Sequence, residues 1–203
     1  LRKGKIILGV SEAILASWGS TLFSKVRDCM PGVEFEFHAQ RSPVVLDRLR
    51  SGEYMVGICT GSPDADTDLV SEVIRQEPMV IIPSGLKPLK YRSGDSLDVM
   101  TIESRSGAWG SIEENMQQLN LHRSTSLESF FAVAQMALSD FGHGLVPTGV
   151  AKTLGIPDKK MIRLSSEKLS RPVRFVARKS MFAQPLVRTF YKEVSALTAA
   201  IKE

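Results

Sequence analysis

The chain is poor in the residues that most chemistry requires. It has two cysteines, Cys29 and Cys59, and three histidines, His38, His122 and His143, among 203 residues. Two cysteines without a short Cys-x-x-Cys spacing suggest neither a disulfide framework nor a zinc site, and their scarcity fits a cytosolic chain. Cys29 closes an amphipathic segment and Cys59 sits in an apolar run, so both read as buried structural thiols. No stretch approaches the ~20 apolar residues of a membrane span. No signal peptide opens the chain: the basic Leu1–Lys5 passes straight into Ile6–Val10, an apolar run of strand length. That abrupt start suggests a piece of something longer. Charge of one sign is also lacking, since 26 Lys and Arg are scattered among 22 Asp and Glu for a net charge of +4. A DNA-reading face would show a denser basic cluster, so little affinity for DNA is expected of this chain by itself. A mildly basic balance better suits solubility or attraction of a small anion.

What is present is ordinary globular material, 43% hydrophobic and 24% charged. A chain of this length buries roughly 70% of its unfolded surface. Lys5–Val10 reads as a buried strand. A helix follows over Ala13–Met30, with Ile14, Trp18, Leu22, Val26 and Met30 on one stripe, and Pro31-Gly32 stops it. Val33–Ala39 alternates as a strand, with Val33, Phe35 and Phe37 on one face and Glu34, Glu36 and His38 on the other. A short helix over Pro43–Arg50 ends at Gly52, and Tyr54–Cys59 is the next strand. Strand, helix, strand, helix, strand makes a parallel sheet covered by helices.

Thr60–Asp68 and Gly85–Ser96 read as loops flanking an apolar stretch that begins at Glu77. The alternation then restarts as a second α/β lobe. Its strands are Asp98–Ile102, Leu121–Thr125, Gly142–Val146 and Met161–Leu164. Its helices are Gly110–Leu119, Leu127–Ser139 and Pro147–Leu154, with capping-box spacings at Ser111/Glu114 and Thr125/Glu128. A strand over Val173–Arg178 and a helix over Pro185–Ile201 close the chain. That helix carries Leu186, Phe190, Val194, Leu197 and Ile201 on one stripe and more plausibly returns to the first lobe, giving two crossings.

An enzyme needs convergent groups, and none stands out. His38 alternates outward and reads as solvated, His122 sits at a loop edge, and His143 lies among glycines, either structural or ligand-facing. No nucleophile elbow, zinc spacing or phosphate loop occurs. No catalytic residue, metal or cofactor is therefore expected. Binding needs less. In open parallel sheets, ligands sit beyond the carboxyl ends of strands, at helix N-termini. Four segments fit: Val10–Ala13, Gln40–Pro43, Glu103–Gly107 and Thr125–Glu128. They supply Ser11, Glu12, Ser42, Ser104, Ser106 and Ser126, whose hydroxyls either cap their own helices or face a ligand. Arg41 and Arg105 add positive charge suited to a carboxylate. Trp109 either stacks on an aromatic ligand or packs under its loop.

Six motifs in order resemble the effector-binding half of LysR-type transcriptional regulators. They are Ile6-Ile7-Leu8-Gly9-Val10, then Met30-Pro31-Gly32-Val33-Glu34-Phe35, then Leu46 to Glu53, then Ser126-Leu127-Glu128-Ser129, then Asp140 to Pro147, and last Arg171-Pro172-Val173 with Arg178-Lys179 and a final helix. The resemblance departs at Tyr54-Met55, Asp140 and His143. It implies two Rossmann-like lobes joined by two crossover strands, like a type 2 periplasmic binding protein. Lobe I would comprise residues 1–74 and 169–203 and lobe II residues 75–168, with an N-terminal winged helix-turn-helix outside this chain. A small-molecule effector, bound in the cleft between lobes, would set the state of the DNA-binding part. The alternative is a solute-binding protein of a transport system. Family topology also places Val33–Ala39 at a sheet edge. Leu15, Phe23 and Cys29, partly off the helix stripe, then suggest a homodimer, or a tetramer in the full-length protein. The opposing surface would be the helix over Gly110–Leu119 of a second copy.

Overall fold

The computed structural model describes residues 4–63, 68–164 and 169–201. Residues 64–67 of the expected first loop, 165–168 at the expected lobe boundary, and 1–3 and 202–203 lie outside the described residues. In chain order the elements are β1 (Gly4–Ser11), α1 (Glu12–Ile14), a π-helical turn (Leu15–Gly19), α2 (Ser20–Cys29), β2 (Val33–Gln40), α3 (Ser42–Ser51), β3 (Val56–Cys59) and β4 (Leu69–Ile82). Then come β5 (Leu97–Ile102), α4 (Trp109–Gln118), β6 (Leu121–Leu127), α5 (Phe130–Leu138), β7 (Gly144–Pro147), α6 (Thr148–Thr153) and β8 (Ile162–Arg163). The chain ends with β9 (Ser170–Arg178), α7 (Lys179–Phe182) and α8 (Pro185–Ala199). Two compact units result, Leu1–Arg75 with Pro172–Glu203, and Gln76–Arg171. The chain passes from one to the other in β4 and returns in β9.

In the first unit the strand order is β2-β1-β3-β9, with β1 parallel to both neighbours and β9 antiparallel to β3. One face of β1 offers Ile6, Leu8 and Val10 to Leu22 and Val26 of α2 and Phe190 and Val194 of α8, all buried. On the other face, α3 packs Val45 and Leu49 beside Tyr54. Gly9 is required there: a Cβ would stand 2.4 Å from Tyr54 Cδ2, so the ring lies directly on the strand backbone. Gly52 ends α3 in the left-handed region, at φ 87°, which only glycine adopts without steric cost. Strand β2 forms the free edge of this sheet.

The expected single helix over Ala13–Met30 is interrupted. Ser17 leaves helical geometry (φ −119°, ψ −122°), and its Oγ donates to the Ala13 carbonyl at 2.6 Å. A π turn inserts a residue and rotates everything after it. The four-residue stripe therefore breaks at Trp18, which is half-buried, while Ser17 and Gly19 are buried in its place. In α8 the buried line runs Val187, Phe190, Val194 and Thr198 rather than through Leu186 and Leu197, following the 3.6-residue period.

In the second unit the order is β4-β7-β5-β6, with β8 on the far side of β4. Strands β5, β6 and β7 are parallel, and β4 is antiparallel to β7. Several local expectations fail here. Strand β4 begins at Leu69, not Glu77, because its first half belongs to the crossing. Strand β6 continues to Leu127, kept in register with β5 across an irregularity at Val99/Met100. Helix α5 therefore starts at Phe130, capped by Ser129 Oγ, which accepts from Ala132 N–H; the Thr125/Glu128 capping box does not form. The Ser111/Glu114 box is absent too, since α4 begins at Trp109 and Ser111 Oγ donates back to the Ala108 carbonyl at 2.8 Å.

The cysteines divide. Cys59 is fully buried, and desolvation pushes its thiol up to about 12. Cys29, expected to be buried, is exposed, because α2 turns its last residue outward. Native protein should accordingly react with Ellman's reagent at Cys29 alone, with Cys59 released only on denaturation. Rapid modification of Cys59 in the folded state would refute this.

Candidate functional site

The carboxyl ends of β1, β2 and β3 meet at one edge of the first sheet. The register pairs Ser11 with Gln40 and Val10 with Ile58. Ser11 is buried and precedes α1, yet its hydroxyl makes no capping bond. Glu12, the first residue of α1, is exposed. Arg41 is half-buried at the N-cap of α3, in extended geometry. Ser42 is buried and its Oγ lies 3.1 Å from Thr60 Oγ1, while Thr60 N–H donates to the same Ser42 oxygen at 3.2 Å. The fold thus brings Ser11, Arg41 and Ser42 to one edge, joined by Thr60. Sequence reading passed over Thr60, although its place just after a parallel strand was the available signal.

In the second unit, Ser104, Arg105 and Ser106 follow the carboxyl end of β5. Ser104 is exposed, and Ser106 Oγ accepts from Ala108 N–H at 3.3 Å. The Arg105 guanidinium is largely exposed and lies 3.3 Å from the mostly buried Glu103 carboxylate. Trp109 is packed: Arg123 stacks on its ring at 4.1 Å from the centroid. Residues of β6 reach the same edge, where Glu103 N–H donates to the Leu127 carbonyl at 2.9 Å.

Two expected residues are placed otherwise than the sequence suggests. Ser126 is not at a helix N-terminus; it is exposed within β6, opposite Thr101, and Ser129 holds the position expected of it. His143 precedes β7, and β7 runs parallel to β5 with Met100 beside Gly144. His143 therefore lies at the amino edge, away from residues 103–106. There Nδ1 accepts from Ser84 N–H at 3.0 Å. Ser84 Oγ also donates to Asp140 at 2.8 Å, and Lys87 pairs with that carboxylate. The Lys87 and Ser84 hydrogen bonds hold the Asp140 carboxyl below its usual range. This cluster ties two loops together. Of the other histidines, His122 is exposed beside Asn120. His38, expected to be solvated, is half-buried, stacked on Tyr54 at 5.0 Å and 2.8 Å from Glu36.

Two α/β units, each with a mostly parallel sheet and joined by two crossing strands, define a fold like that of type 2 periplasmic binding proteins. Solved structures share it. The reduced regulatory domain of OxyR2 from Vibrio vulnificus is 18% identical, with 98% of this chain and 96% of that chain covered, at a TM-score of 0.76. The effector binding domain of QuiR in complex with shikimate is 15% identical, with 98% and 99% covered, at 0.77. The BenM effector binding domain with its effector benzoate is 14% identical, with 98% and 94% covered, at 0.73. Comparison with curated protein sequences gave no match. The family model described as the LysR substrate binding domain matches residues 1–198, and the chain belongs to that family.

Proposed function

We propose that this chain is the effector sensor of a LysR-type transcriptional regulator, binding a small organic anion and catalysing nothing. The observation that carries the reading is the joined edge of the first unit, where Ser11, Arg41, Ser42 and Thr60 gather at parallel strand ends in a LysR substrate binding domain. The family match favours a regulator over a solute-binding protein of a transport system. Glu12 belongs to the same edge of the first unit; Ser104, Arg105 and Ser106 form a set of their own in the second unit, where Arg105 exchanges Glu103 for a carboxylate. His143 and Ser126 are part of neither. The units correspond to regulatory subdomains I and II. DNA is reached through a winged helix-turn-helix elsewhere in the regulator, in the cytoplasm. Among the described residues no helix is long and apolar enough to cross a membrane.

Calorimetry against a panel of small carboxylates tests this. Loss of a charge-assisted bond at Arg41 should cost on the order of 1.5–3 kcal/mol, about tenfold to a hundredfold in affinity. Hits confined to neutral or cationic compounds, or full binding after replacement of both Arg41 and Arg105, would refute the anion.

The same regulator is proposed to act as a homodimer, through the β2 edge of one copy and α4 of another. A groove lined by Leu15, Phe23, Val33, Phe35 and Phe37 borders that edge. Phe37 is exposed and its ring lies 4.9 Å from Phe23. Phe23 itself is buried, so Phe37 and Leu15 are the residues to alter. Sedimentation at micromolar concentration should show a dimer that Phe37→Asp dissociates; a wild-type monomer, or a variant dimer of equal affinity, would sink the arrangement.

A further inference from the structure

Strand β9 carries three arginines, and the fold accounts for two of them. Arg171 is buried against Glu77, with Nη2 2.7 Å from its carboxylate. Arg178 donates from Nη1 to the Leu49 carbonyl at 3.3 Å, in the last turn of α3, where unpaired carbonyls favour a cation. Arg174 has neither kind of partner. It is half-buried, and its Nη1 reaches Ser71 Oγ on β4 at 3.4 Å. Its buried Nε has no hydrogen-bond partner, and no carboxylate pairs with it among the described residues. A charge withdrawn from water without a counter-charge is costly, so a guanidinium left in this state is suited to an anion from outside the chain.

The register places it. Arg174 stands opposite Cys59 in the β3–β9 pair, and opposed residues of neighbouring strands share a face. Cys59 and Val176 both pack with Val45 and Leu46 of α3, so Arg174 is on the α3 side of the sheet. Cys59 is also the last residue of β3, and Thr60 follows it. Neighbouring strands lie about 4.8 Å apart, less than the length of an arginine side chain. Arg174 is therefore beside the edge where Thr60 meets Ser42 and where Arg41 is the N-cap of α3. Two guanidiniums at one set of strand ends match a ligand with two acidic groups, since each can hold a carboxylate by paired N–H bonds. We propose that Arg174 is a specificity-determining residue of this edge, selecting small dicarboxylates over monocarboxylates. The inference rests on the reading of the edge as the effector site.

The probes are three pairs of acids titrated by calorimetry into the whole chain: succinate with butyrate, glutarate with pentanoate, and phthalate with benzoate. In every pair with a binding member, the diacid should bind about tenfold more tightly or better, as expected for one more charge-assisted contact. Arg174→Gln should erase that preference, whereas Arg41→Ala should weaken both members of a pair. Monoacids that bind as well as diacids, or a preference that survives Arg174→Gln, would overturn the inference and leave the effector site standing. No binding of any of the six acids at millimolar concentration would remove the anion reading of the edge, and this inference with it. A second measurement needs no ligand. Urea unfolding of Arg174→Met should give a midpoint equal to or above that of the wild type, because the lost cation has no counter-charge within the chain. A midpoint well below wild type would show that the fold itself requires the guanidinium, and would overturn the role assigned to it.

Discussion

Replacing Glu77 with alanine is expected to destabilise the second unit by about 3–5 kcal/mol, the usual cost of stranding one member of a buried ion pair. Arg171 and Glu77 are each 1% exposed, with Arg171 Nε donating to Glu77 Oε2 at 2.8 Å and Nη2 2.7 Å from the same oxygen. The guanidinium also lies over Phe130, 5.2 Å from the ring centroid, at the start of α5. An alanine at 77 leaves the cation in an apolar interior with neither water nor counter-charge. The pair is not stabilising in proportion. Removing both charges together, Glu77→Leu with Arg171→Met, should recover most of the loss, since desolvation of the two ions offsets much of their attraction. Urea unfolding of the wild type and the two variants checks this. A Glu77→Ala midpoint equal to wild type would mean that Arg171 finds water, and a double variant as unstable as the single one would mean that its packing matters more than its charge.

Truncating Phe190 to alanine is expected to cost the first unit about 3–5 kcal/mol, transfer and cavity terms together. Its side chain is fully buried, and its ring stands 5.7 Å from that of Phe35 on β2 and 6.0 Å from that of Phe175 on β9. One ring on α8 thus connects an edge strand with a returning strand of the same sheet. Amide exchange should report the loss as faster exchange across β1, β2 and β9. The second unit should keep its protection, because no residue of that unit belongs to this cluster. A uniform loss across both units would show that the two unfold as one.

Much of the architecture was legible from local pattern. Period-two alternation marked β2, and the run from Val45 to Gly52 marked a helix with a glycine stop, because both signals act within a few residues. The candidate edge of the first unit was legible in part, through the rule that parallel strands present ligands at their carboxyl ends. Errors arose where a distant partner outweighed local preference. Ser126 sits in a spacing that suits a helix cap, but pairing with β5 holds it in a strand until Leu127. His143 has the glycine surroundings of a ligand loop, yet the direction of β7 sends it to the opposite edge.

The sequence by itself determined the order of strands and helices, the stops at Pro31-Gly32 and Gly52, and the shortage of groups for acid–base or metal chemistry. These follow from side-chain periodicity, backbone freedom and composition, which need no knowledge of distant neighbours. Only the tertiary structure decided which face each residue occupies. It turned Cys29 outward and Cys59 inward, set Thr60 against Ser42, and joined Glu77 to Arg171 across 94 residues of chain. Such contacts depend on sheet register and chain direction, and a one-residue insertion like the turn at Ser17 rotates every later side chain without leaving a local signature.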